Sequence, residues 1–153
     1  MKAHAAVLLL LVGPLLAACT GNAGVLTDTG PGAGDTVIAV PDTGGMLGDR
    51  LRRSLSQRGW SLLRYDPEAL ERSRDYARLA AQARYRLTLT ARRIGNCGSE
   101  MPSYIYNTAL IANENGHVAL ALTGADCLDS VAARFESELA RRRITPPEAA
   151  AAE

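Results

Sequence analysis

The stretch Tyr85-Arg86-Leu87-Thr88-Leu89-Thr90-Ala91-Arg92 decides the fold class. Tyr85, Leu87, Leu89 and Ala91 alternate with Arg86, Thr88, Thr90 and Arg92. A period of two sends the first set to one face of a strand and the second set to the other, so this segment reads as a strand buried on one side and wet on the other. Such a strand needs neighbours, and the sequence on its two sides supplies them in different styles.

Towards the C-terminus the style is antiparallel. A Gly/Pro-bearing loop from Gly95 to Pro102 leads into a strand from Ser103 to Ala112. Asn115-Gly116 is a strong hairpin signal, and it opens a strand from His117 to Thr123 in which Val118, Leu120 and Leu122 alternate. A last helix begins near Cys127, with Asp126 as its expected cap and Asp129 near its positive end. Leu128, Val131, Ala132, Phe135 and Leu139 form its apolar stripe, and Arg141, Arg142 and Arg143 complement its negative end.

Towards the N-terminus strands and helices alternate. Asp66-Pro67 starts a helix, with a capping carboxylate followed by proline in the first turn. That helix is expected to run to about Ala83 with Leu70, Ala77, Ala80 and Ala81 inward. Trp60 to Tyr65 precedes it as a strand. Before that strand lies a helix carrying Leu47, Leu51 and Leu55 on one face, with Gly59 placed for a left-handed C-terminal cap. The first strand is Thr36-Val-Ile-Ala-Val40, a continuous apolar run that Pro41 ends and that suits burial on both faces.

The order is therefore β-α-β-α-β-β-β-α. It predicts an α/β sandwich of two or three layers, a mixed sheet of about five strands with three helices on one or both faces. The expected domain spans 36–143. Residues 144–153 read as a disordered tail with Pro146-Pro147 and an Ala/Glu run, and 19–35 as a glycine-rich flexible tether.

The first nineteen residues have their own logic. Lys2 precedes an apolar run from Ala5 to Leu16, too short for the roughly 20 residues that a spanning helix needs. Leu16-Ala17-Ala18-Cys19 then resembles the lipobox of bacterial lipoproteins. The resemblance implies a signal peptide over 1–18, a diacylglycerol with palmitate-class chains on Cys19, and acylation of the new amine. Several chains together anchor firmly where a single one binds marginally. Thr20 stands where an aspartate would favour the inner membrane, so the resemblance implies the periplasmic face of a Gram-negative outer membrane. Simple secretion with a cut after Gly21-Asn22-Ala23 is the competing reading.

Composition narrows the function. The chain has 17 Lys+Arg and 16 Asp+Glu, and Lys2 is its only lysine, so beyond the signal the charges cancel. A basic nucleic-acid binder is not indicated. The lack of lysine beside abundant Ala, Arg and Leu fits codon bias in a GC-rich genome. Of 3 cysteines, assigning Cys19 to lipid leaves Cys97 and Cys127, a pair expected to form a disulfide in an oxidising compartment. No Cys/His cluster suggests a metal.

Catalysis finds little support. His117 is the only histidine after the signal, so any Ser-His-Asp or Cys-His arrangement would have to use it, and its place beside a hairpin turn reads as exposed. Gly30 to Gly34 and Gly44-Gly45 have neither Walker nor Rossmann spacing. No catalytic residue, cofactor or metal is expected. Tyr104 and Tyr106 share a strand face and form a candidate partner surface, with core packing as the competing reading. Arg50, Arg52, Arg53 and Arg58 could meet anionic lipid headgroups or line a plain solvated face.

In element order, Thr36 to Arg143 resembles small envelope lipoproteins with a Tol-protein N-terminal-like α/β domain. Penicillin-binding-protein activators and the curli-secretion and exopolysaccharide-export lipoproteins are of this kind. Gly44 to Tyr65, a helix with Leu51 and Leu55 that ends at Arg58-Gly59-Trp60 before a strand, is similar to the core of conjugal-transfer lipoproteins. These resemblances imply a non-catalytic binding or accessory module in the cell envelope, lipid-anchored and with an envelope-protein partner. An accessory subunit of a conjugation or secretion complex is the alternative, and a glycan-binding protein or enzyme comes third. Fold-level likeness does not choose among them.

Overall fold

Pairing begins at the apolar run. In the computed structural model, which describes residues 34–98 and 100–147, strand β1 (Val37–Pro41) lies between β2 (Ser61–Tyr65) and β3 (Tyr85–Cys97) and is parallel to both. Strands β4 (Met101–Ala112) and β5 (Val118–Cys127) continue the sheet antiparallel, giving five strands in the order β2-β1-β3-β4-β5. The predicted signal peptide, Cys19 and most of the tether lie outside the described residues.

The connections follow the right-handed rule. From β1 the chain moves one way to β2 through α1 (Gly45–Gln57), then back past β1 to β3 through α2 (Pro67–Ser73) and α3 (Tyr76–Gln82). A reversal of direction with constant handedness puts the two connections on opposite faces. The packing agrees. Leu47, Leu51 and Leu55 of α1 share a core with Ile38, Val40, Leu87, Leu110 and Leu120. Leu79 and Ala83 pack instead on Ala39, with Val37, Leu63, Tyr65 and Leu70 around them. The last helix, α4 (Leu128–Arg141), joins α1 on the first face through Val131, Phe135 and Leu139. Between these two helices the buried Ser54 hydroxyl donates to Glu136 at 2.5 Å, and Arg58 donates to the Glu136 carbonyl at 3.0 Å.

Among the described residues four helices stand where three are expected, because the long second helix is broken. Arg74 adopts a left-handed conformation (φ 53°) and Asp75 starts a new helix, its carboxylate accepting from the Arg78 amide. The break resets the phase. Leu79 and Ala83 turn inward, while Ala77 and Ala81, expected inward, are exposed. The start at Asp66-Pro67 is as the sequence indicates: Asp66 accepts from the amides of Glu68 and Ala69 at 2.8 and 3.1 Å. Gly59 likewise follows α1 at φ 88°, a left-handed value that favours glycine.

Three further expectations need correction. The loop expected from Gly95 to Pro102 is mostly strand, with the turn confined to the few residues between Cys97 and Met101. A bulge between Arg93 and Gly95 absorbs Ile94, and Pro102 lies just outside the ladder with β5, which starts at Ser103. Asp126 does not cap α4, since β5 runs through it and Cys127 occupies the cap position without a side-chain bond. At the ends, Gly34 is already fixed, its carbonyl accepting from the amides of Val37 and Arg84. Ile144, expected in the tail, is 8% exposed and belongs to the core, and Pro146 is buried too.

Candidate interaction surface

Side-chain alternation, reset on β3 by the bulge at Ile94 and on β5 by a register shift at Ala119, sorts the residues of these three strands to two faces. On β4 the even positions Tyr104, Tyr106, Thr108 and Leu110 are buried, and on β5 Leu120 and Leu122 join them. Tyr104 and Tyr106 therefore do not form a partner surface: at 7% and 3% exposure they belong to the core under α1 and α4. Tyr106 lies opposite Gly124 on β5.

The odd positions of β4 lie on the other face, which is open. Rungs run across it as Arg86–Ile111–Val118, Thr88–Ala109–Ala121, Thr90–Asn107–Thr123 and Arg92–Ile105–Ala125. Ile105 and Val118 are each 46% exposed, and Asn107, Ala121, Thr123 and Ala125 are exposed as well. No carboxylate occurs in these rungs, and the only charges are Arg86 and Arg92. The patch is about 25 Å long and 10–15 Å wide at ordinary strand spacings. That is the footprint of one helix.

Along β3 the open face meets a step. Helices α2 and α3 rise beside it, and a cavity of about 160 Å³ between them and the sheet is lined by Tyr65, Glu71, Tyr76, Arg86, Thr88 and Thr90, among others. The Tyr76 hydroxyl donates to Glu71 at 2.7 Å, a bond to a carboxylate that raises the phenol's pKa. The Arg86 guanidinium lies 5.1 Å from the Tyr76 ring centroid and donates to Asn113 at 3.1 Å. Tyr65 donates to the Leu87 carbonyl at 2.9 Å, and burial pushes its phenol up to about 12.

The remaining expected residues fall in separate places. Cys97 and Cys127 are joined by a disulfide with Cα atoms 5.8 Å apart, linking the ends of β3 and β5 across β4. His117 is exposed beside the turn, and its amide donates to Asn115. Of the α1 arginines, Arg50 pairs with Asp129 at 3.6 Å, Arg52 with Asp49, and Arg58 bonds the Glu136 carbonyl. Among the described residues no group of three or more His, Cys, Asp or Glu side chains could hold a metal ion, and no helix is long and apolar enough to cross a membrane.

Sheets wound this way commonly hold ligands outside the carboxyl ends of their parallel strands, where the winding reverses. Here the α1-side part of that crevice is filled. A Cβ on Gly44 would fall 2.7 Å from Leu89 Cδ2, so the β3 side chain already occupies the space beside the loop after β1. Sequence reasoning gives β3 a wet face but does not single out the outward residues of β4 and β5, because small and neutral residues at alternate positions look the same as any half-wet strand.

No family model matches the chain, and no curated protein matches it. Among solved structures it is similar to the PelC dodecamer from Paraburkholderia phytofirmans, at 25% identity over 72% of this chain and 91% of that one, with a TM-score of 0.42. A substituted PelC dodecamer from the same organism gives 23%, 74%, 93% and 0.43. A Xanthomonas campestris protein of family model DUF330 gives 18% identity over 67% and 75%, with a TM-score of 0.36. At TM-scores this low the likenesses carry no weight for assembly or function.

Proposed function

We propose that this chain is a non-catalytic accessory module of the bacterial cell envelope, held by lipid on Cys19 to the periplasmic face of the outer membrane, that docks an envelope protein on the open face of β3–β4–β5. The observation that carries the docking is that, among the described residues, no element covers this face. Helices cover both faces of the β1–β2 half, yet the outer face of β4 and β5 presents Ile105, Val118, Ala121 and Ala125 to solvent. Alanines and threonines allow a helix backbone to approach closely, and Arg92, with no carboxylate in the rungs, favours an acidic flank. The occupant is therefore an amphipathic helix of a partner protein, apolar on one side and acidic at one margin. The anchor rests on the lipobox-like Leu16 to Cys19.

Photo-crosslinking in a Gram-negative host tests both parts. A crosslinking residue at Thr123 of the full chain is expected to yield one discrete adduct, lost when Ala121→Glu places a carboxylate on the patch. The same residue at Ser137, exposed on α4, is expected to yield none. Equal adducts from the two positions, or an adduct that survives Ala121→Glu, would remove the docking face. Cys19→Ser is expected to move the protein from the membrane to the soluble fraction, and unchanged fractionation would remove the anchor.

A further inference from the structure

Two arginines from different elements converge at the edge of the sheet. Residues alternate between faces along β2, so Arg64 lies on the same side as Leu62, which packs on the α1 core. It faces a cleft of about 410 Å³ between β2 and α1, lined also by Asp49, Arg52, Arg53 and Ser56. Arg52 is the fixed member. Its side chain is 12% exposed, and it donates to the Pro41 carbonyl at 2.7 Å and to Asp49. Arg53 and Arg64 have no hydrogen-bond or ion-pair partner among the described residues. Three guanidiniums thus share the cleft with one carboxylate. Their combined field is visible at Asp49, where Arg52, Arg53 and Arg64 all pull the carboxyl below its usual range, the Arg52 hydrogen bond contributing most.

We infer that this cleft binds the phosphate group of an ester, with Arg53 and Arg64 as the ligating cations, Arg52 as the preset third and the Ser56 hydroxyl as a further donor. Folding gives no reason to gather unpaired like charges there, since their mutual repulsion opposes the compact state. Guanidinium forks match phosphate oxygens in geometry and charge, and a tetrahedral anion can accept from several at once. The partly buried Leu62 beside them suits the aliphatic part of an ester. Free glycerol 3-phosphate, a monoester, and the headgroup of phosphatidylglycerol, a diester, both present an anionic phosphate joined to glycerol. The site is independent of the open sheet face, which lies on the other side of the sheet.

The test uses the purified full chain. Side-chain Nε–H signals of the arginines are followed during titration with glycerol 3-phosphate, and co-sedimentation is compared for vesicles of phosphatidylglycerol and of phosphatidylcholine. Saturable shifts at Arg53 and Arg64 assign a soluble ester. Retention on phosphatidylglycerol above phosphatidylcholine, without such shifts, assigns the headgroup. In either case Arg53→Gln with Arg64→Gln is expected to weaken binding at least about tenfold, while Arg72→Gln on α2 leaves it unchanged. Both arginines are exposed, so the melting temperature of the double variant serves as the folding control. Shifts that grow linearly without saturation, together with equal retention on both vesicles, overturn the site. So does binding that the double variant keeps in full.

Discussion

The two halves of the sheet are built differently. Around β1 the chain is covered twice: Ile38 and Val40 are buried towards α1, and Ala39 is buried towards α3. Around β4 and β5 it is covered once, with Leu120 and Leu122 buried and Ala121 and Thr123 exposed. The first half is closed by local crossovers and two apolar layers. The second is a long hairpin with a single layer, and a covalent bond ties its far end. A sheet can lack one helical layer if other constraints hold its strands, and the face left bare is then available to a partner.

The disulfide gives the sharpest test of that contrast. Its sequence separation is 30, and the loop-entropy model assigns a loop of this length about 3.5 kcal/mol. Domains of this size have only about 5–15 kcal/mol in all. Cys97→Ser with Cys127→Ser is expected to lower the urea midpoint steeply, to a degree that reduction of the wild type reproduces. A loss below about 1 kcal/mol would mean that the single layer is sufficient, and the contrast would fail.

On the covered side, Leu79→Ala probes the small second cluster. Leu79 is 7% exposed among a few neighbours, and truncation is expected to cost about 2 kcal/mol, at the low end for a buried leucine. Denaturation with fluorescence and amide-exchange readouts would show the loss. Exchange is expected to quicken in α2 and α3 and to stay slow in β4 and β5. Equal quickening on both sides would show that the halves unfold together and blur the distinction.

The smallest effect is one of pH. Tyr65 holds its proton to about 12 in the folded chain against an ordinary value of 10.0, because burial disfavours the phenolate. Between those values the unfolded chain releases a proton that the folded chain keeps, so stability falls as pH rises from 10 towards 12. Tyr76, raised by Glu71, acts in the same direction. Tyr65→Phe is therefore expected to flatten part of the alkaline decline, after losing about 1 kcal/mol at neutral pH with the bond to Leu87. A decline of unchanged slope would show that Tyr65 titrates alike in both states.

The legible parts were those that a few neighbouring residues encode. Leu47, Leu51 and Leu55 at helical spacing, the cap at Asp66 and the left-handed Gly59 are all as the sequence indicates. The break at Arg74-Asp75 was hidden because Ser73 to Gln82 continues a helix-compatible composition. On β4 the sequence offers Tyr104 and Tyr106 as a surface pair, whereas the outward set is Ile105 and its odd-numbered neighbours. Alternation establishes that a strand has two faces. It does not say which one the helices will take.

By itself, the sequence determined the α/β class, the alternating strands and most helix starts and stops, because dihedral preferences, caps and periodicity act within one or two turns of chain; the candidate pair Cys97 and Cys127 followed from the cysteine count once Cys19 is assigned to lipid. The tertiary structure alone decided the strand order β2-β1-β3-β4-β5, the return of α4 to the α1 side, and hence which face of β3–β4–β5 stays bare. It alone also brought Arg53 and Arg64 into one cleft and drew two cysteines from non-adjacent strands to within 5.8 Å. These outcomes depend on contacts between residues far apart in sequence, whose energies are set by the packing of whole layers against one another and leave no local periodic trace.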